Sequence, residues 1–297
     1  ADPDNVLQTN GATGANLLAL LALVEPGDHV IAEYPTYQPL YEIPRTLGAD
    51  VEYWHIQEEL GWQPDIAELE RLVRPNTKLI CINNASNPLG TVLSREMRLE
   101  CELSEIASFG GRLCAFGRGV SAAGGYGFIC FHGRSVRPRR GDEQYFQDVL
   151  GAGRAHWLDG VECRGGDRIR AYRDYTLICG GVFNDALAVH VLRNRERIME
   201  RNRAIVLGNR DIAQAWVDEE PRVRWVAPKG VSTSYIQFDI PMDDEEFCLK
   251  LLRERGVLLV PGSRFELPCG ARLGYCASEE TLRRGLALLS EALREFD

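Results

Sequence analysis

The chain has 297 residues, of which 45% are hydrophobic and 26% charged, enough for a sizeable core in one large or two ordinary domains. Its formal net charge of -9 argues against nucleic acid or an anionic membrane as a partner, because either needs a concentrated basic surface. No apolar stretch is long enough to span a bilayer, and Ala1-Asp2-Pro3-Asp4 does not open a signal peptide. Cys 9 is an odd count without a Cys-x-x-Cys pair, so neither a disulfide framework nor a metal site is indicated, and a cytoplasmic location is expected.

In chain order, Val6-Leu7-Gln8-Thr9 reads as an extended entry to the small-residue turn Gly11-Ala12-Thr13-Gly14 and an apolar helix from Ala15. Such a turn presents free N–H groups and the positive end of a helix dipole, which suits a phosphate; a tight connection without a ligand is the alternative. After the turn Glu25-Pro26-Gly27-Asp28, His29 to Glu33 reads as a strand ending at Tyr34-Pro35-Thr36-Tyr37. A helix over Pro39 to Leu47, capped by Gly48, a strand at Val51 to Trp54 and a helix through Ile66, Leu69 and Leu72 follow. The apolar run Leu79-Ile80-Cys81-Ile82 is then closed by Asn83-Asn84-Ala85-Ser86-Asn87-Pro88-Leu89-Gly90, as in a buried strand that stops at a polar loop. This alternation predicts an α/β fold, a mostly parallel sheet flanked by helices, with ligands at the strand ends.

Ser94 is suited to cap a further helix, but from about Arg112 to Cys163 the text changes. It is rich in Gly and Arg, shows no clear period, and carries the cluster Arg134, Arg137, Arg139 and Arg140, readable as a patch for an acidic partner or as a solvated loop. Periodic text resumes by Asp167, with a long helical run from Ala186 through Val206. Val223 to Val226 and Ser234 to Phe238 alternate as half-buried strands, Phe247 to Arg255 is a helix ended by Gly256, and Arg272 to Tyr275 is a short strand before a terminal helix opened by Ser278.

The loop at Asn87-Pro88-Leu89-Gly90 resembles the Asn-Pro-x-Gly loop of fold-type I pyridoxal-phosphate (PLP) enzymes, the class I/II aminotransferase family. The resemblance implies that Asn87 hydrogen-bonds the cofactor's phenolic oxygen, that Ala12 and Thr13 hold its phosphate, and that Tyr37 stacks on its pyridine ring. Arg272 would grip the substrate's α-carboxylate with two charge-assisted bonds. It further implies a PLP-binding large domain over residues 1–200, a smaller C-terminal α+β domain over 201–297, amino-acid and 2-oxo-acid substrates, and a homodimer. Family members carry an N-terminal segment before the equivalent of Ala1, so the chain reads as an N-terminally truncated copy. Around Tyr172 to Thr176 and in the linker helix it is similar to enzymes of the capreomycidine synthase type, which act on arginine derivatives.

Three family motifs are missing from 112–163: an Asp for the pyridine nitrogen, the Schiff-base lysine, and an Arg for the phosphate. The lysines are Lys78, Lys229 and Lys250, all outside that stretch, so no catalytic residue is assigned. Read one base later, the codons of Asp142 to Asp148 admit Met-Ser-Ser-Ile-Ser-Lys-Thr, those of Ala115 to Ser121 admit Leu-Ser-Asp-Glu-Val-Tyr-Arg, and those of Arg154 to Leu158 admit Val-Arg-Ile-Gly-Trp. All three strings resemble the absent motifs and fall in family order, which points to a displaced reading frame. The expected activity is a PLP-dependent aminotransferase, inactive as written. The rivals are a noncatalytic remnant that binds or pairs with another protein, and a nucleotide-binding α/β protein using Gly11 to Gly14, which lacks a dinucleotide or P-loop fingerprint.

Overall fold

A computed structural model describes residues 6–93, 112–118, 127–132, 154–157 and 164–296. The elements run β1 (Val6–Gln8), α1 (Gly11–Leu23), β2 (His29–Tyr34), α2 (Pro39–Thr46), β3 (Asp50–Gln57), β4 (Gln63–Pro64), α3 (Ile66–Leu72) and β5 (Thr77–Asn84). There follow β6 (Arg112–Arg118), β7 (Gly127–His132), β8 (Arg154–Trp157), α4 (Arg164–Thr176), α5 (Val182–Arg193) and α6 (Arg195–Glu219). The C-terminal part comprises β9 (Val223–Trp225), β10 (Thr233–Phe238), α7 (Asp244–Arg255), β11 (Val260–Pro261), β12 (Gly270–Gly274) and α8 (Glu279–Leu293).

The first eight strands form one sheet in the order β1-β8-β7-β6-β5-β2-β3-β4, and four of its seven pairings are parallel. Side chains alternate across the central strands, so each half of an apolar run meets a different layer. Val30, Ala32, Leu79 and Cys81 pack with Leu18, Leu20 and Leu23 of α1 on one face. Ile31, Ile80 and Ile82 pack with Trp54 and Leu69 on the other. The remaining strands form an antiparallel sheet ordered β11-β12-β10-β9. Ile236 and Phe238 of that sheet share a core with Phe247, Leu251, Leu286 and Leu289 from α7 and α8. A smaller cluster of Ile56, Trp62, Leu89, Tyr235 and Leu267 joins the two sheets.

Helix ends follow local chemistry. Asp65, Asp243 and Ser278 accept N–H bonds from the first turns of α3, α7 and α8, and Gly256 closes α7 in the left-handed region. The single helical run expected from Ala186 is instead two helices broken at Asn194, whose backbone and side-chain amides both donate to the His190 carbonyl. Helix α6 passes through residue 200, where the division of the chain was expected.

Residues 112–163 also differ from their sequence reading, for they contain β6, β7 and β8. Leu113-Cys114-Ala115-Phe116 and Phe128-Ile129-Cys130-Phe131 are continuous apolar fours, which suit strands covered on both faces and show no period of two. The arginine cluster at 134–140, the stretch Asp142 to Asp148 and the helix expected after Ser94 lie outside the described residues. Among the described residues no helix is long and apolar enough to cross a membrane, and no group of side chains could hold a metal ion.

Candidate active site

Helix α1 leaves β1 through Gly11 at φ +66 and places Ala12 and Thr13 in its first turn. The first N–H groups of an α-helix have no intrahelical acceptor. Asn10, at the cap, makes no side-chain bond to them, and no acidic residue stands in that turn, so the positive end of the helix is left for an anion. The Thr13 hydroxyl lies 2.7 Å from the Tyr37 hydroxyl. Tyr37 is half-buried against the core of the large sheet, which fixes its ring beside the helix start.

Asn87 lies in a tight loop after β5, where Ser86 N–H donates to the Thr91 carbonyl and Gly90 N–H to that of Ser86. Gly90 has φ +77 and sits against the C-terminal part of the chain: a Cβ there would be 2.6 Å from the Thr233 carbonyl oxygen and 2.7 Å from Pro228 Cβ. Its carbonyl accepts from both Lys229 N–H at 2.9 Å and Gly230 N–H at 3.0 Å, and Ser234 Oγ donates to the Leu89 carbonyl. These contacts hold the loop against β10 and the segment before it.

Strand β12 pairs with β10 in a register that sets Arg272 opposite Tyr235. From there Arg272 Nη1 donates to Asn87 Oδ1 at 3.0 Å. That contact fixes the amide's orientation, with Oδ1 occupied as acceptor and Nδ2 turned to donate elsewhere. The Arg272 guanidinium also lies 5.5 Å from the centre of the Phe265 ring. Tyr34 OH donates to the Phe265 carbonyl, so the segment Tyr34 to Tyr37 touches both halves of the site. Of the five residues singled out from sequence, four fall into two contacting pairs, Thr13 with Tyr37 and Asn87 with Arg272, and Ala12 stands beside Thr13 in the first turn of α1.

Beneath them lies a residue that the sequence reading passed over. Glu33, near the end of β2, is almost wholly buried, and its Oε2 accepts the Asn83 N–H at 2.8 Å. Burial pushes its carboxyl up to about 7, and the Asn83 bond offsets only part of that. Asn83 Nδ2 in turn donates to the Asn87 carbonyl at 3.2 Å. The signal was present as a lone acid completing the run Val30-Ile31-Ala32-Glu33.

Two further hydroxyls in these loops, Thr36 Oγ1 and Ser86 Oγ, are buried with no hydrogen-bond partner among the described residues. Orphaned hydroxyls, an open helix start, an aromatic ring, an oriented amide and an arginine suit a phosphorylated, polar aromatic ligand with a carboxylate partner. An amine to hold such a ligand covalently is another matter. Lys78 lies 3.9 Å from Asp28 at the far end of the sheet, and Lys250 pairs with Glu295 at 2.6 Å. Lys229, the third and last lysine of the sequence, is exposed on the loop whose backbone clamps Gly90.

Comparison with known proteins gives a consistent picture. The family model described as aminotransferase class I and II matches residues 1–106. A solved PLP-dependent aminotransferase from Streptococcus suis is 43% identical and superposes with a TM-score of 0.81, over 99% of this chain and 78% of that one. Capreomycidine synthase of Streptomyces vinaceus is 27% identical over 97% of this chain and 74% of its own length. Aspartate aminotransferase of Thermotoga maritima is 26% identical over 98% of this chain and 76% of its own.

Proposed function

The chain belongs to the PLP-dependent aminotransferases of class I and II, and from that premise we propose that it keeps the noncovalent half of an amino-acid transaminase site while lacking the covalent half. The cofactor of the family is pyridoxal 5'-phosphate. When bound, it supplies an electron sink that lets an amino acid give up its α-proton. In this reading the N–H groups of Ala12 and Thr13, with the Thr13 hydroxyl, receive the phosphate. Tyr37 lies on the ring, and Asn87 Nδ2 donates to the phenolic oxygen. Arg272 holds the α-carboxylate of an amino-acid or 2-oxo-acid substrate, and the Phe265 ring keeps its guanidinium in place.

The observation that carries the proposal is the Arg272–Asn87 hydrogen bond at 3.0 Å, because it brings the cofactor contact and the substrate contact together from opposite parts of the chain. The lysine count carries the second half: two of three are engaged with carboxylates away from the site, and the third is exposed. We attribute the missing amine to a displaced reading frame within 112–163, which the nucleotide sequence of those codons tests directly. Codons that forbid the three motif strings refute it.

The same lysine count favours a second reading, a noncatalytic scaffold that binds or pairs. Self-association is the pairing we propose, supported by the apolar side chains Tyr175, Ile178, Val182, Phe183 and Leu187, all well exposed on α4, α5 and the turn between them. A cytoplasmic location belongs to the proposal too, supported by free thiols at Cys81, Cys179, Cys248 and Cys269. The deciding experiment adds PLP and borohydride to the whole chain and maps any phosphopyridoxyl lysine by mass spectrometry, beside a transamination assay. Weak dissociable binding without turnover is expected. Robust turnover with a stoichiometric adduct would overturn the reading.

A further inference from the structure

Strands β2 and β5 run parallel from His29 and Thr77 up to the pair Ala32 and Cys81, where their ladder ends. On its other side β2 stays paired one step further than Glu33, to Tyr34 against His55. The two central strands therefore splay just before the loops that carry Tyr37 and Asn87, and a crevice at such a point is where open α/β sheets bind ligands. Splaying removes the ladder acceptor for the Asn83 N–H, and a buried N–H without an acceptor is costly. The Glu33 carboxylate takes that place at 2.8 Å.

Glu33 is 2% exposed, and no basic group among the described residues contributes to its environment. The contacts beyond Asn83 suggest what the carboxylate does. Asn83 Nδ2 reaches the Asn87 carbonyl, and Asn87 Oδ1 receives Arg272. Along the chain, meanwhile, Glu33 leads directly into the segment Tyr34 to Tyr37. The Asn87–Arg272 pair is thus tied by contacts to one buried side chain in the fork between two strands, and Tyr37 follows that side chain four residues on along the backbone.

We propose that Glu33 is a positioning residue, whose carboxyl oxygen sets the pose of Asn87, and through it Arg272, by holding Asn83 across the splayed β2–β5 gap. Its own contact is to the Asn83 backbone and not to cofactor or substrate. What matters is the acceptor, so glutamine, which keeps a carbonyl oxygen at that place, substitutes for it, and leucine, which fills the volume without an acceptor, does not. The inference deepens the reading of the site given above and rests on it.

The test uses the full chain and a phosphopyridoxyl amino acid, a stable reduced adduct that needs no lysine. Affinity for this probe and the side-chain amide NMR signals of Asn87 are measured in Glu33→Leu and Glu33→Gln, with signals from the C-terminal core reporting that each variant is folded. Glu33→Leu is expected to weaken binding about tenfold and to move the Asn87 signals, and Glu33→Gln to restore both. Unmoved Asn87 signals with unchanged affinity in Glu33→Leu overturn the proposal, as does a Glu33→Gln variant no better than Glu33→Leu. If the unaltered chain does not bind the probe, the functional reading fails, and the Asn87 signals alone decide whether Glu33 positions that amide.

Discussion

Replacing Gly90 by alanine should strain the joint between the Asn87 loop and β10. The residue has φ +77, which costs a non-glycine residue roughly 1–2 kcal/mol. The added methyl would also stand 2.6 Å from the Thr233 carbonyl oxygen and 2.7 Å from Pro228 Cβ, a backbone atom and a ring atom that cannot rotate away. Overpacking of that kind adds roughly 1–3 kcal/mol, for a total of about 2–5 kcal/mol. Gly27→Ala is the control, for Gly27 has φ +85 and nothing within 4 Å of the position of its Cβ, so it bears the backbone cost alone. Urea unfolding of both variants isolates the steric part as their difference, about 1–3 kcal/mol. Gly90→Ala should also lose affinity for a phosphopyridoxyl amino acid, whereas Gly27→Ala should not. Equal destabilisation by the two variants, within about 0.5 kcal/mol, would mean that the loop is not held against β10 as described.

Arg272→Ala should weaken binding of a phosphopyridoxyl amino acid by about 10- to 100-fold, the equivalent of a charge-assisted hydrogen bond, while phosphopyridoxamine, which has no carboxylate, loses much less. Arg272→Lys should fall between, because an ammonium cannot make two parallel bonds, and calorimetric titration of both ligands reads the ratio. Burial outweighs the Glu52 carboxylate and lowers the His29 pKa below 6.5. The unfolded chain then takes up the proton first, so this contribution is intact above about pH 6.5 and is lost as pH falls below it, a slope that His29→Gln should flatten in pH-dependent unfolding. Glu33 has the opposite sign, its pKa being raised from 4.5 to about 7. The folded state holds the proton longer, stability falls as pH rises through that window, and Glu33→Gln should gain up to about 3 kcal/mol on the unaltered chain at pH 8 relative to pH 4. Phe183→Asp, at one of the most exposed apolar side chains, should lower self-association in sedimentation equilibrium and leave the unfolding midpoint of the dilute chain unchanged.

The readability of this chain tracks how local each cause is. The strand-and-helix alternation up to Gly90 was legible because apolar runs, Gly and Pro turns and capping residues act within a few positions, and Ser278 and Gly256 stand where the sequence put helix ends. Tyr37, Asn87 and Arg272 were singled out through a family resemblance alone; periodicity marks which face of an element is buried and says nothing about which polar group meets which. The Asn87–Arg272 contact spans 185 positions and depends on the register between β10 and β12, a quantity no single stretch of sequence encodes. Glu33 escaped notice for a related reason. As a terminal acid on a short strand it reads as the first solvated residue, and only the splay from β5 turns it inward. Strands β6 and β7 were missed because continuous apolar fours flanked by Gly and Arg carry neither a period of two nor one of 3.6, and β8, Arg154-Ala155-His156-Trp157, is too short to show one.

In the proposed reading, the division of labour in the fold accounts for a scaffold that persists without its anchor. Every side-chain contact argued for the cofactor and the carboxylate comes from residues before 94 or after 231, and those residues hold one another through β2, β5, β10 and β12. The stretch 112–163 supplies strands to the same sheet but none of the three lysines. The clamp between Gly90 and the Lys229 loop lies wholly outside that stretch. In the reading proposed above, a site so divided would hold its cofactor as a dissociable ligand, through a helix terminus, one ring contact and a few hydrogen bonds, each contributing on the order of 1 kcal/mol. Recognition of that kind would need no lysine, and the step from recognition to turnover is the one that requires an amine.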